Sequence, residues 1–179
     1  KTAGNADDAL NYNSAKASSD NSLDADDLFT VKAGADGLKT ETYALSVNPD
    51  KAVTGEYALI HGAEYAITLV EDNGTIYGRA FDVLQEDGSP KNVDVFRVRI
   101  AADGVITLEQ LPGASIKHPA PKAGTEESAE AHDNIVSITG VQVTKTVTDN
   151  DGDQASATAD FTLNFEDDGP TIVVKTEEG

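Results

Sequence analysis

From Leu28 onward, apolar side chains recur at every second position in run after run. That period turns one face of an extended chain toward a core and the other toward water. Leu28-Phe29-Thr30-Val31, Tyr43-Ala44-Leu45-Ser46-Val47, Tyr57-Ala58-Leu59-Ile60, Tyr65-Ala66-Ile67-Thr68-Leu69-Val70 and Thr75-Ile76-Tyr77-Gly78-Arg79-Ala80 are predicted strands. The breaks between them are turn clusters: Gly34-Ala35-Asp36-Gly37, Asn48-Pro49-Asp50 and Glu71-Asp72-Asn73-Gly74, the last an Asn-Gly hairpin signal. The clearest alternation runs from Val93 to Ile100, and its slip between Phe96 and Val98 predicts a bulge. Ala102-Asp103-Gly104 then turns the chain into Val105-Ile106-Thr107-Leu108. Residues 112–133 hold several prolines and an acidic pair, Glu126-Glu127, and are expected as one long Pro-containing loop. Two more alternating runs follow, Ile135 to Val147 and Ala155 to Phe165, joined by Asp149-Asn150-Asp151-Gly152-Asp153. Helical periodicity is almost absent, and no internal repeat is visible. The expected fold is an all-β, antiparallel β-sandwich, with residues 1–27 a polar leading segment or linker that has room for one short strand near its end. Residues 28–170 form a single domain, and 171–179 an exit strand or linker.

Charge changes the picture from an ordinary sandwich to one that needs help. The 179 residues carry 32 Asp and Glu against 13 Lys and Arg, a formal charge of −19. Self-repulsion on that scale opposes compaction. It also rules against nucleic-acid partners, whose phosphates bear the same sign, and no basic patch is present for an anionic membrane. No apolar stretch is long enough to insert into a bilayer. Cysteine is absent, so disulfides are not the stabiliser. The strand patterns argue against a disordered acidic chain, which leaves a solvated, salt-tolerant surface or bound cations as the counterweight; calcium (Ca2+) is the cation plentiful outside cells and is the one expected here.

The sharpest chemical motif is the turn Asp149-Asn150-Asp151-Gly152-Asp153. Carboxylates at alternate positions around a glycine turn can converge on one point, and calcium takes about six to eight oxygen ligands. The spacing resembles the start of an EF-hand loop, but the closing Glu is not where that loop requires it and no flanking helices are predicted. The other reading is a solvated acidic turn, since Asp and Asn favour turns. A second candidate is Asp167-Asp168-Gly169-Pro170, where paired carboxylates before a proline could hold an ion at a junction between modules, or simply form a turn. The expected metal ligands are therefore Asp149, Asp151, Asp153, Asp167 and Asp168. Asp36, Asp72, Asp87 and Asp103 sit beside turn glycines or asparagines and read first as hairpin chemistry. No catalytic motif appears: no Cys nucleophile, no G-x-S-x-G elbow, no phosphate loop, and no zinc spacing among His61, His118 and His132. The chain is expected not to be an enzyme.

The order of short motifs resembles a repeat domain, of the "split" type, found in giant repeats-in-toxin (RTX) bacterial adhesins. The residues that carry the resemblance are Asp26-Asp27-Leu28-Phe29-Thr30-Val31, Ala35-Asp36-Gly37-Leu38, Thr42-Tyr43-Ala44-Leu45, Ala66-Ile67-Thr68-Leu69-Val70, Ile76-Tyr77-Gly78-Arg79, Ile106-Thr107-Leu108, His118-Pro119, the run Val147 to Thr158 and Phe165-Glu166-Asp167-Asp168-Gly169-Pro170-Thr171. The resemblance implies a type I-secreted protein held at the outer surface of a Gram-negative bacterium, with modules that fold in external calcium. It implies neighbouring domains of the same polypeptide as partners, and a host or bacterial surface ligand for some modules. Residues 112–133 are only a loop's length, too short for an inserted binding domain, so a scaffold or spacer in adhesion or biofilm formation is the expected function. The alternative is a module that itself binds a sugar or peptide with calcium, for which Tyr57, Tyr65 and Tyr77 are candidate stacking platforms, although their alternation with apolar residues favours core packing.

Overall fold

The structure, a computed structural model, describes residues 10–12, 22–32, 34–118, 136–166 and 169–174. In chain order the elements are β1 (Leu10–Tyr12), β2 (Ser22–Asp24), a 3₁₀ turn (Ala25–Leu28), β3 (Phe29–Val31), β4 (Leu38–Val47), a second 3₁₀ turn (Pro49–Lys51), β5 (Val53–Ile60), β6 (Ala63–Asp72), β7 (Thr75–Leu84), β8 (Pro90–Ile100), β9 (Val105–Gln110), β10 (Ser115–Ile116), β11 (Val136–Asp149), β12 (Gln154–Glu166) and β13 (Gly169–Val174). The fold is all-β and antiparallel. A seven-stranded sheet runs β10-β5-β6-β7-β8-β9-β2, a four-stranded sheet runs β13-β12-β11-β4, and β1 pairs with β3. Among the described residues, no helix is long and apolar enough to cross a membrane.

The period of two explains where the core sits. Along β11, Val141, Val143 and Val147 are buried, while Gln142, Thr144 and Thr146 between them are half-exposed. Ile67 and Leu69 of β6, Ile76 and Ala80 of β7, and Ile106 and Leu108 of β9 bring the larger sheet's inner face to the same core. The rings of Phe96 on β8 and Phe165 on β12 join the two sheets, with centroids 4.9 Å apart. Each such side chain, fully buried, contributes about 1.5–3 kcal/mol. The outer face of the β11–β12 pair is polar instead, with Thr144 facing Thr158 at 2.8 Å and Thr146 facing Ser156 at 2.8 Å.

The β6–β7 hairpin closes as the Asn-Gly signal predicts, with Asn73 at φ 50° and Gly74 at φ 83°. The bulge in β8 lies earlier than expected. Gly78 pairs with Phe96 and Arg79 with Asp94, so the unpaired residue is Val95, and Val95 and Phe96 are both buried. The cause is Gly78: a Cβ there would stand 2.1 Å from Cε1 of Phe96, so the ring lies in the space that the glycine leaves open. The segment 112–133, expected as loop, contains an edge strand at its start. Ser115 and Ile116 of β10 pair with Leu59 and Ala58, and Ile116 is buried. Residues 119–133 of that segment lie outside the described residues. Within the leading segment, β2 pairs with β9, and Leu23 and Ala25 are buried in the core. Leu23 from the strand and Ala25 from the turn after it anchor this short stretch in the core, although its surroundings in sequence are polar.

Candidate metal centre

The two longest strands of the smaller sheet, β11 and β12, are held by a continuous ladder from Val141↔Phe161 to Thr148↔Gln154, and they deliver the 149–153 turn to one end of the molecule. Gly152, at φ 99°, allows the chain to reverse there. The turn's backbone is satisfied locally. The N–H of Asp149 donates to the carbonyl of Asp153 at 3.0 Å, and the N–H groups of Gly152 and Asp153 donate to Asp149 Oδ1 at 3.0 and 2.8 Å. Asn150 donates from Nδ2 to the carbonyl of Asp36, tying this hairpin to the turn that precedes β4.

Asp149, Asp151 and Asp153 each offer a carboxylate oxygen, and these oxygens lie within 4.8 Å of one another. Among the described residues this is the one group of three or more His, Cys, Asp or Glu side chains so gathered. The crowding perturbs ionisation. A hydrogen bond with Asp151, followed by those from the turn's N–H groups, holds the Asp149 carboxyl below its ordinary value. The same hydrogen bond and the repulsion from Asp149, with a smaller push from Asp153, raise Asp151 above its ordinary value. The two titrate as a pair. A set made only of carboxylates, Asp149 half-buried and Asp151 and Asp153 exposed, fits a hard cation such as calcium and not zinc, which prefers nitrogen and sulfur. Three carboxylates, each giving one or two oxygens, supply a large share of the about six to eight that calcium takes, and the exposed turn leaves room for water. The sequence-predicted ligands Asp149, Asp151 and Asp153 are thus brought together, whereas Asp167 and Asp168 lie outside the described residues.

The other acidic turns use their carboxylates differently. Asp87 Oδ1 accepts from the N–H and hydroxyl of Ser89, Asp103 Oδ1 accepts from the N–H of Val105, and Glu71 Oε1 accepts from the N–H of Gly74. Each is a single carboxylate capping a turn. The tyrosines divide. Tyr65 packs against the core and accepts from the N–H of Leu84, Tyr77 lies under Arg79 at 5.5 Å, and Tyr57 is 45% exposed.

Two features escaped the pattern of residues. The first is a cleft of about 370 Å³ between β4 and the β6–β7 turn, lined by Tyr43, Leu45, Glu71, Asn73 and Arg99 among others. The second is Lys145, 2% exposed and the one buried charged side chain among the described residues. Its ammonium contacts the carboxylate of Asp26 in the first 3₁₀ turn and lies 3.2 Å from Oε1 of Glu41 on β4. The Tyr43 hydroxyl donates to Asp26 Oδ1 at 2.5 Å, and its ring lies 5.3 Å from the Lys145 nitrogen. Burial and the hydrogen bond to Asp26 push the Tyr43 hydroxyl up to about 12. Burial acts to lower Lys145, but its bonds to Asp26 and Glu41 outweigh it and hold the group above its ordinary value. The signal in the sequence was parity: Lys145 falls in phase with Val143 and Val147, on the buried face.

No curated protein and no solved structure matches the chain. A family model does, over residues 5–162, and its description is Domain of unknown function (DUF5801). The chain belongs to that family.

Proposed function

We propose that this chain is a non-catalytic, calcium-stiffened β-sandwich module of a large secreted adhesin at the surface of a Gram-negative bacterium, where it positions neighbouring ligand-binding domains of the same polypeptide. The observation that carries this reading is the gathering of three carboxylate oxygens within 4.8 Å on the β11–β12 turn. Calcium there joins residues that otherwise repel, and so stiffens the end of the longest hairpin in the smaller sheet. The net charge of −19 and the resemblance to RTX adhesin repeats support the same reading. Asp167 and Asp168 are assigned a junctional calcium role on their sequence alone. The test is a calcium titration of chelated protein followed by thermal melting. Tm rises with calcium, and Asp151→Ala removes most of the rise; a Tm that ignores calcium contradicts the reading.

A second reading is favoured by the cleft beside β4, where Arg99 and Glu71 stand next to the apolar surface of Tyr43 and Leu45. In that reading the module itself holds a sugar or peptide. A glycan and peptide array probed with the whole chain in calcium separates the two: a specific hit that Arg99→Ala abolishes favours binding, and its absence leaves the scaffold.

A further inference from the structure

We propose that Lys145 and Asp26 are the two halves of an intramolecular amide (isopeptide) bond that staples the first 3₁₀ turn to β11. This inference is independent of the calcium reading and concerns different residues.

The inner face of β11 is where a β-protein places valine, and at this position it holds an amine instead. Burying an amine is costly unless it is paired. Here the pairing is also the geometry of a condensation. The Nζ of Lys145 is in contact with the Asp26 carboxylate, while Glu41 Oε1 stands 3.2 Å away on the neighbouring strand. Tyr43 donates its hydroxyl hydrogen to Asp26 Oδ1 at 2.5 Å, and a hydroxyl that stays protonated up to about 12 remains a donor throughout the physiological range. Nucleophile, acyl carbon, proton carrier and oxyanion donor are therefore assembled in one place.

The parts are held from outside the cluster. Ala25, beside Asp26, is fully buried, and its N–H donates to the carbonyl of Gly104 at 2.8 Å. Asp24 Oδ1 accepts from the N–H of Asp26 itself at 3.0 Å. The Tyr43 ring packs on Gly104, where a Cβ would stand 2.9 Å from Cζ. Glu41 and Tyr43 are two apart on β4, and Tyr43 is the registered partner of Lys145. Joining an amine and a carboxylate is unfavourable between free molecules in water, but groups fixed this way reach effective concentrations of about 10⁵–10⁸ M.

The step balances without any further reactant. Glu41 accepts a proton from the Lys145 ammonium and passes it to Asp26 Oδ2. The free amine attacks Cγ of Asp26, and the negative charge that develops on Oδ1 is met by the Tyr43 hydroxyl. Glu41 carries a second nitrogen proton to Oδ2, the Cγ–Oδ2 bond breaks, and one water leaves. Oδ1 remains as the amide oxygen and Glu41 returns to its carboxylate. Asp26 is 46% exposed, so the water has a path out.

The test is the intact mass of the full chain and a peptide map, with no mutation needed. The proposal predicts a mass lower than the sequence mass by one water, and a branched peptide joining residues 26 and 145. Glu41→Gln is expected to fold with the same circular dichroism but to retain the full mass. A wild-type chain that keeps its full mass after prolonged incubation at neutral pH, with residues 26 and 145 in separate peptides, overturns the proposal. A branch to Glu41 in place of Asp26 overturns the assignment of the acyl group.

Discussion

The β6–β7 and β11–β12 hairpins solve the same problem with different amounts of charge. At the first, Asn73 and Gly74 supply the positive φ angles and one carboxylate, Glu71, caps the N–H of Gly74 at 2.8 Å. At the second, Asp149 alone caps the N–H groups of both Gly152 and Asp153. Asp151 and Asp153 add two carboxylates beyond the one that caps both N–H groups, and the hydrogen bond and repulsion between Asp151 and Asp149 raise Asp151 above its ordinary value. A turn needs one acceptor. Three acceptors within 4.8 Å make an arrangement whose energy depends on what lies between them.

The comparison can be broken first with calcium itself. At roughly a hundredfold excess over Kd, binding adds about 2.7 kcal/mol, which for a chain of this size raises Tm by roughly 5–10 °C in differential scanning calorimetry. Gly74→Ala, at φ 83°, is expected to cost about 1–2 kcal/mol with or without calcium, because its cause is steric. Equal melting shifts in calcium and in chelator would bear this out. Next come two substitutions in the acidic turn. Asp149→Ala should lower Tm in chelator, because two N–H groups lose their acceptor, whereas Asp151→Asn should leave it unchanged or slightly higher. Both should remove most of the calcium response. If Asp151→Asn destabilises the chelated protein, its carboxylate is part of the turn and not surplus.

The smallest effect is the pH dependence. Asp149, held low, contributes stability that is lost as pH falls through its folded value; Asp151, held high, contributes stability that is lost as pH rises through its own. The two oppose, so the acidic turn's own contribution to melting in chelator should vary little across the carboxylate range, as the difference between the native chain and Asp149→Ala/Asp151→Asn would show. Calcium binds the deprotonated set, so its Tm gain should appear as pH rises through the raised Asp151 value. Melting curves at a series of acid pH values, with and without calcium, measure the difference directly. At the other extreme Lys145, where it remains an amine, holds its ion pairs up to a pH above its ordinary value and loses that contribution beyond it.

The strands were legible because their partners impose a period of two, and the Asn73-Gly74 turn because its φ angles are local. What escaped depends on residues far away in sequence. The bulge at Val95 follows from a ring seated over Gly78 and packed on Phe165, neither of which is a neighbour of Phe96 in the chain. β10 looks like loop from within, because only its pairing with Ala58 and Leu59 makes it a strand. The acidic turn at 149–153 could be read directly, since all three carboxylates lie within five consecutive residues. Lys145 could be suspected from parity, but not its acceptors, which come from a leading segment that is polar almost throughout and from β4.

A crystal structure of the whole chain grown in saturating calcium tests the central claim most directly. The prediction is a single strong peak between Asp149, Asp151 and Asp153, with oxygen ligands at about 2.3–2.6 Å. Density there that refines only as water, with the three carboxylates turned away from one another, would contradict it.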